Sequence, residues 1–137
     1  MIQYRESADG VRPEQLRGFF VDPPWPNPPS PETHLRLLRG SDHVVLAVDD
    51  AGDRVVGFVT AVSDGVLSAY VPLLEVLPDY RGRGIATELM RRLLARLEGL
   101  YMVDLVCDPE LEPFYTRLGL RPARAMVRRN VARQSGA

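Results

Sequence analysis

The sequence predicts an α+β domain built around a central, mixed and mostly antiparallel sheet. Two β-branched runs, 43–50 and 54–63, are separated only by a few turn residues, which is typical of an antiparallel hairpin. From Gly84 onward, the apolar residues recur with the period of a helix, and another strand-like run follows at 101–107. Together with an apolar run at 68–77, these elements predict one βαβ-like unit within the sheet.

The first elements are short and end in a proline-rich segment. Residues 2–6 indicate a strand, and residues 12–20 indicate a helix with Pro13 near its start, where a missing N–H costs little. Six of the twelve prolines then lie between Pro23 and Pro31. This segment, the connector, is predicted to be stiff and extended, because prolines cannot form the interior of a helix or a central strand.

A second helix is predicted to begin after the connector. Ser30, followed by Pro31 and Glu32, has the order of an N-cap and a first helical turn, and Gly40 is the expected stop. The hairpin follows this helix. The run at 68–77 is apolar at nearly every position, as expected of a strand buried on both faces.

The second half completes the domain. The helix after Gly84 places its apolar residues on one face. A short helix is predicted over 109–118, a last strand over 121–130 and a polar tail over 131–137. Residues 1–130 are therefore predicted to form a single domain in which about four helices flank the sheet.

Composition excludes several classes of function. The chain of 137 residues has a net charge of −1 and a pI near 6.1, so no overall basic field favours a nucleic-acid partner. Cys107 is the only cysteine, which excludes an intrachain disulfide and a cysteine-based metal site, and no metal is expected. No stretch has the length of a signal peptide or a membrane span, so we expect a cytoplasmic protein without a membrane partner.

The segment Arg81-Gly82-Arg83-Gly84 lies between a predicted strand and a predicted helix, a position suited to binding a phosphate. The first N–H groups of a helix have no partner within the helix, and the helix dipole favours an anion there. The glycines let the backbone approach a ligand, and the arginines add forked donors. The alternative is a tight, solvated turn.

Two nucleotide motifs fit this segment poorly. A Walker loop requires a lysine after its second glycine, but Ile85 and Ala86 stand there. A dinucleotide-binding fingerprint requires glycine or alanine where Thr87 stands, although Asp104 lies near the expected acidic position. The hairpin-rich first half lacks the repeated βαβ units of that fold, which is kept only as an alternative.

Two motifs, in the same order along the chain, resemble those of the GCN5-related N-acetyltransferases (GNAT). Residues 81–86, RGRGIA, match the family pattern Arg/Gln-x-x-Gly-x-Gly/Ala, and residues 108–120, DPELEPFYTRLGL, resemble its second signature. The resemblance implies a GNAT-like fold and acetyl-CoA as the acetyl donor. One departure is Asp108, where the family often has asparagine.

The resemblance also implies how the donor binds. The pyrophosphate would lie over the loop from Arg81 to Thr87, formed by Arg81, Gly82, Arg83, Gly84, Ile85, Ala86 and Thr87. The pantetheine would run along the strand that carries Leu74 and Val76 and pair with its backbone. The N–H near Val76 would polarise the thioester carbonyl, as an oxyanion donor does.

Two side chains are candidates for proton transfer. Tyr115 falls on the family's tyrosine position, where the phenol would protonate the departing thiolate; the alternative is a ring packed beside Phe114. Glu75 stands alone in an apolar run, and burial of a carboxylate raises its pKa into a range useful for a base. The alternative is a glutamate paired with an arginine, and Pro72 is expected to introduce a bulge that changes where Glu75 points.

The acceptor site is expected beside the connector. Trp25 is a candidate aromatic wall, or else a hydrophobic plug, and Asp22 is a candidate partner for a cationic amine. His34, expected on an exposed or groove-facing side of its helix, and His43 each stand alone as possible bases. Cys107 is expected to be a small apolar filler.

The hypothesis is an acetyl-CoA-dependent N-acetyltransferase that moves the acetyl group to a primary amine by direct attack in a ternary complex. The acceptor is a small-molecule amine or a protein amine, and the resemblance makes a homodimer possible. The alternative is a non-catalytic acyl-CoA-binding domain that acts as a regulator or sensor.

Overall fold

In the computed structural model, which describes residues 1–137, six strands form a mixed sheet and three α-helices pack beside it. The elements in chain order are β1 (Ile2–Arg5), α1 (Pro31–Gly40), β2 (His43–Asp49), β3 (Arg54–Ser63), β4 (Ser68–Tyr70), β5 (Leu74–Val76), α2 (Ile85–Arg96), β6 (Met102–Asp104) and α3 (Glu112–Thr116). The strand order is β1-β2-β3-β4-β6, and β5 also pairs with β3. Only β4 and β6 are parallel. The predicted fold class is confirmed, with three α-helices where about four were expected.

The hairpin of β2 and β3 is covered on both faces, which explains its continuous apolar sequence. On one face, a side chain placed on Gly57 would lie 3.1 Å from Leu89 of α2, so the helix packs directly on the sheet. On the other face, the ring of Phe58 contacts Phe19, with ring centroids 5.1 Å apart. Most of the residues from 44 to 61 in these strands are therefore fully buried.

The prediction of a helix over 12–20 is wrong. Only one 3₁₀ turn forms, over Pro13–Leu16. Gly18 and Phe20 have positive φ angles of 96° and 67°, which a right-handed helix does not contain. The helix at α1 is confirmed, and the Ser30 hydroxyl accepts a hydrogen bond from the backbone N–H of Thr33, as its N-cap position requires.

The prediction of a strand over 121–130 is also wrong. These residues have no regular secondary structure, and all ten side chains are exposed. Their sequence favours an extended chain, but they pair with no strand of the sheet. The helix expected over 109–118 is divided into a 3₁₀ turn at Pro109–Leu111 and the short α3. The boundary drawn at residue 130 stays a prediction.

The single strand expected over 68–77 is interrupted by a bulge. Tyr70 pairs with Val62 and Leu74 pairs with Val59, so the three residues 71–73 face only two residues of β3. The middle residue of the three is a proline, which has no N–H to donate to a sheet. The bulge separates β4 from β5 and turns β5 away from β6. The predicted βαβ-like unit is present, as β4, α2 and β6.

His34 lies in the core rather than on an exposed or groove-facing side of α1, so that expectation is wrong. Its ring packs against Phe58, Phe20 and Phe19, with centroids 4.4, 5.0 and 5.2 Å away. Neither ring nitrogen has a hydrogen-bond partner in the chain. Burial lowers the pKa of His34 to about 4, because the charged ring would lose its hydration. His34 is therefore a neutral core residue, remote from a catalytic role.

Acidification is expected to destabilise the protein through His34. The unfolded chain takes up a proton near the ordinary histidine pKa of about 6.5, whereas the folded chain does so only near 4, so stability is lost as the pH falls between these values. The loss at pH 4 is about 3 kcal/mol. Urea unfolding at several pH values measures it. His34→Leu should flatten this pH dependence, whereas His43→Leu, the control, should leave it in place; equal slopes in wild type and His34→Leu would contradict the assignment.

Candidate active site

A cavity of about 570 Å³ opens where β5 separates from the chain that follows β6. The parallel pairing of β4 with β6 ends at the bond from the Val71 N–H to the Asp104 carbonyl, which is 2.9 Å long. Beyond it, the bulge carries β5 to one wall of the cavity, while residues 105–107 form the opposite wall. The cavity is therefore a consequence of the bulge.

The edge of β5 that faces away from β3 has backbone groups that no strand pairs with. The Leu73 carbonyl accepts a hydrogen bond from β3 at 3.1 Å, and the Leu77 N–H donates one to β3 at 2.8 Å. Because backbone groups alternate in direction along a strand, those of Leu74 and Val76 point the other way. No strand pairs with this edge. An extended ligand could therefore bond to β5 as an added strand does.

Arg81 ties the end of β5 to the connector. Its Nε donates to the Val76 carbonyl at 2.9 Å, one terminal nitrogen donates to the Asp22 carbonyl at 2.8 Å, and the other lies 3.3 Å from the Asp22 carboxylate. The guanidinium thus has partners within the protein. A phosphate that bound here would compete with Asp22 for the same donors, and the coenzyme role of Arg81 stays a prediction.

The loop before α2 has the conformation that its glycines allow. Gly82 and Gly84 have φ angles of 78° and 80°, and Gly84 is the N-cap of α2. Arg83 lies over the Tyr80 ring, 4.9 Å from its centroid, and donates to the Asp79 carbonyl at 3.1 Å. The first turn of α2 therefore presents its N–H groups beside an exposed cation.

The loop and the cavity overlap only in part. Of the seven residues expected to bind the coenzyme phosphates, Arg81 and Ala86 line the cavity. Ile85 is buried and packs towards β3, so only its backbone is available to a ligand. The remaining four, Gly82, Arg83, Gly84 and Thr87, lie outside the cavity lining, and their role in binding stays a prediction.

Glu75 lines the cavity and also holds the connector. Its two carboxylate oxygens accept hydrogen bonds of 3.0 and 3.2 Å from the N–H of Phe20. The alternative of a glutamate paired with an arginine is wrong, because the hydrogen-bond partner is this backbone group. Burial raises the pKa of Glu75, although the Phe20 N–H and the charge of Arg81 oppose the shift. A carboxylate with a raised pKa accepts a proton more readily than an exposed one.

Tyr115 lines the same cavity from α3. Its ring packs edge-on against Phe114, with centroids 4.9 Å apart. Burial raises the pKa of Tyr115 and the nearby Cys107 adds to the shift, so the phenol is protonated at neutral pH. It therefore retains a proton that it can donate.

The connector brings Asp22 and Trp25 to the cavity, as predicted for residues beside the acceptor. Trp25 packs on Phe20, with ring centroids 4.8 Å apart, and is both a wall of the cavity and a support for the connector. The carboxylate of Asp22 is already paired with Arg81. Sequence reasoning missed Arg129, which also lines the cavity, because its segment was expected to lie within the sheet.

Other chemistries have little support in the described residues. No three His, Cys, Asp or Glu side chains are grouped so that they could hold a metal ion. Burial and the carboxylates of Glu112 and Asp108 raise the pKa of Cys107, which disfavours the thiolate that a nucleophile requires. None of the helices is both long enough and apolar enough to cross a membrane.

Comparison with known proteins agrees with this geometry. The family model described as the acetyltransferase (GNAT) family matches residues 9–120. A crystal structure of a Deinococcus radiodurans R1 protein, assigned as an acetyltransferase, is 51% identical, with a TM-score of 0.93 over 99% of this chain and 93% of that one. A GNAT-family acetyltransferase from Streptococcus pneumoniae TIGR4 is 29% identical, with a TM-score of 0.76 over 95% of this chain and 98% of its own.

A relative from a plant extends the similarity to a protein with a stated reaction. Glucosamine 6-phosphate N-acetyltransferase 1 of Oryza sativa subsp. japonica is 32% identical over 139 aligned residues, which cover 80% of this chain and 79% of the relative. The match to the family model includes the connector, the loop before α2 and α3. This chain therefore belongs to the GNAT family and is an acetyl-CoA-dependent N-acetyltransferase.

Proposed function

We propose that the chain transfers the acetyl group of acetyl-CoA to a primary amine by direct attack in a ternary complex. The observation that carries this proposal is that one cavity is lined by the free edge of β5, by Glu75 and by Tyr115. A backbone edge for the donor, a group that accepts a proton and a group that gives one are the three elements that this reaction requires.

The donor is proposed to bind along β5 and the loop that precedes α2. The pantetheine amides pair with the free backbone groups of Leu74, whose direction the pairing with β3 supports, while the Val76 carbonyl already accepts a hydrogen bond from Arg81. The pyrophosphate lies over the N-terminus of α2, where the N–H groups and Arg83 favour an anion. The Val76 N–H then donates to the thioester oxygen as negative charge develops on it.

The acceptor is proposed to enter between the connector and β5. Its neutral nitrogen attacks the thioester carbon and forms the new C–N bond, and the C–S bond then breaks. Glu75, directly or through an ordered water, takes the proton that the nitrogen loses, and the Tyr115 hydroxyl gives a proton to the departing sulfur. Asp22 and Glu75 make this part of the cavity acidic, which suits a cationic amine, and Trp25 forms its aromatic wall.

The experiment that tests the proposal measures free thiol released from acetyl-CoA in the presence of a panel of amines. The panel contains amino sugars, including the glucosamine 6-phosphate of the rice relative's name, together with amino acids, polyamines and peptide N-termini. An amine-dependent release of thiol, with the acetylated amine identified by mass spectrometry, supports the proposal. Tight binding of CoA without turnover on any amine would instead favour the non-catalytic sensor.

Charge reversal at Arg83 is expected to weaken acetyl-CoA binding by roughly tenfold or more, since a charge-assisted hydrogen bond to phosphate contributes about 1.5–3 kcal/mol. Titration calorimetry at low and high salt measures the affinity and its electrostatic part. Arg91→Glu, an exposed arginine on α2 outside the cavity lining, is the matched control. Equal affinities for Arg83→Glu and Arg91→Glu would contradict the phosphate site. Arg83 is the cleaner test, because replacing Arg81 also removes its bonds to Val76 and Asp22.

A cytoplasmic location and a homodimer complete the proposal. The lone Cys107 needs no oxidising compartment, which supports a cytoplasmic location. The family resemblance supports the homodimer.

A further inference from the structure

A second cavity, the side cavity, adjoins the active site beyond Trp25. Its volume is about 320 Å³, and Trp25 and Leu73 line both it and the active-site cavity. Phe20 also links the two cavities, because its N–H bonds to Glu75 while the residue itself lines the side cavity. A molecule whose nitrogen lies beside Glu75 could therefore extend past Trp25 into this space.

One face of α1 supplies the charge of the side cavity. Arg36 and Leu37 follow Thr33 by three and four residues, so both lie next to it on the helix surface, and all three line the cavity. Arg36 is the only ionisable residue of the lining, which contains no carboxylate. The side cavity therefore has a net positive charge.

Arg36 forms no ion pair within the chain. Glu32, the only acidic residue of α1, lies four residues earlier, at the spacing that favours an ion pair along a helix. Glu88 and Arg92 on α2 have the same spacing and do pair, at 2.8 Å. The guanidinium of Arg36 thus keeps its forked donors for a ligand.

Two polar side chains of the side cavity also have a donor available. The Thr33 hydroxyl accepts a hydrogen bond of 3.2 Å from the Ser30 hydroxyl, so its own proton can be donated. The side-chain oxygen of Gln134 accepts the bond of 2.7 Å from the Asn27 N–H, which leaves the amide nitrogen to donate. A guanidinium, a hydroxyl and an amide nitrogen together suit an anion such as a carboxylate or a phosphate.

The two adjoining cavities thus carry opposite charges. The Glu75 carboxylate lines one and the Arg36 guanidinium lines the other, and the apolar side chains of Trp25 and Leu73 lie between them. A molecule that complements both has a cationic nitrogen at one end, a spacer in the middle and an anionic group at the other end.

We propose that Arg36 determines the specificity for the acceptor, which is an amine carrying a carboxylate or a phosphate beyond a spacer long enough to pass Trp25. The anionic group accepts hydrogen bonds from Arg36, with Thr33 and Gln134 beside it. Its binding places the nitrogen next to Glu75 and the thioester. This inference rests on the proposed function, because it names the class of amine that is acetylated.

The first test compares pairs of amines that differ only in the anionic group: glucosamine 6-phosphate with glucosamine, and ε-aminocaproate with its amide. Thiol release from acetyl-CoA gives kcat/KM for each amine at low and high salt. The anionic member of at least one pair should be preferred by roughly tenfold or more, and the preference should fall at high salt because Arg36 is exposed. The pair that shows it distinguishes a phosphate from a carboxylate. Equal kcat/KM within both pairs would overturn the anion site while leaving the acetyl transfer itself in place.

The variant Arg36→Gln is expected to remove this preference, through a roughly tenfold higher KM for the anionic amine with kcat little changed. The kinetics of the neutral amine should stay as in the wild type. Arg39→Gln, an exposed arginine further along α1 and outside both linings, is the matched control and should keep the preference. Glutamine and arginine have similar helix propensities, so both variants should fold. A preference that survives in Arg36→Gln, or that is lost instead in Arg129→Gln on the wall of the active-site cavity, would overturn the assignment.

A binding measurement separates this inference from the proposed function. If no amine releases thiol, the proposed acetyl transfer fails, and calorimetry with the same pairs of amines in the presence of CoA then tests the anion site alone. Tighter binding of the anionic member, lost in Arg36→Gln and kept in Arg39→Gln, supports the site. Equal binding of both members of each pair to the wild type would overturn it.

Discussion

Tyr115→Phe is expected to lower kcat by about 10²- to 10⁴-fold, the usual contribution of a general acid. The substitution removes only a hydroxyl, and the ring keeps its contact with Phe114 and its place in the cavity wall. Acetyl-CoA affinity should therefore change little. Thiol release from acetyl-CoA under saturating amine measures the loss.

The pH profile separates a proton donor from a packing residue. Because burial raises the pKa of Tyr115, the wild-type phenol stays protonated through the neutral range and loses its proton only at strongly alkaline pH. Activity should fall in that alkaline range for the wild type, and the fall should be absent from the residual activity of Tyr115→Phe. Tyr4→Phe, on β1 and outside the cavity lining, is the control. Unchanged kcat in Tyr115→Phe would show that another group protonates the sulfur.

Glu75→Gln is expected to lower kcat/KM by about 10²-fold or more if the carboxylate accepts the proton of the amine. The amide oxygen of glutamine can still accept the hydrogen bond from the Phe20 N–H, so the connector should stay in place. Wild-type activity should rise with pH as the Glu75 carboxyl, whose pKa is raised by burial, becomes ionised. That rise should be missing from the profile of Glu75→Gln.

Measurements of stability distinguish the catalytic role of Glu75 from its role in holding the connector. A carboxyl with a raised pKa in the folded state stabilises the protein most when protonated, and this contribution is lost as the pH rises through the raised pKa. Glu75→Gln should therefore be no less stable than the wild type at neutral pH. Glu75→Leu, in contrast, leaves the Phe20 N–H without a partner and should lower the free energy of unfolding by about 1–3 kcal/mol. If Glu75→Gln kept full activity and an unchanged pH profile, an ordered water would be the base.

The local parts of the structure could be predicted from the sequence. The loop before α2 and α2 itself depend on neighbouring residues: glycines with positive φ, a helix start and a single apolar stripe. The hairpin of β2 and β3 follows from β-branched runs with a short turn. The gathering of Asp22, Trp25, Glu75 and Tyr115 at one cavity was expected from the family resemblance, because these residues are distant in sequence.

The parts that were missed depend on contacts between distant residues. Residues 12–20 have a helical pattern, yet the bond from the Phe20 N–H to Glu75 holds a backbone conformation that no helix contains. His34 has the pattern of a residue facing a groove, but three phenylalanines from other segments enclose it. Residues 121–130 have the pattern of a strand, but whether a strand forms depends on a neighbouring edge, which a local pattern cannot specify.

The bulge at residues 71–73 has a consequence for how the chain tolerates changes in length. Glu75 shares a face of the sheet with its partner Phe58, on the side of the connector, while Val76 shares the opposite face with Gly57 on the side of α2. Deleting one residue from 71–73 would leave two residues opposite the two of β3, so β4 and β5 could pair with β3 as one continuous strand while β5 kept its present partners. The bulge that turns β5 away from β6 would be lost, and the cavity between β5 and residues 105–107 would narrow. Homologues that retain the activity should therefore vary in length in the turn at 50–53 and conserve the residue count between β4 and β5.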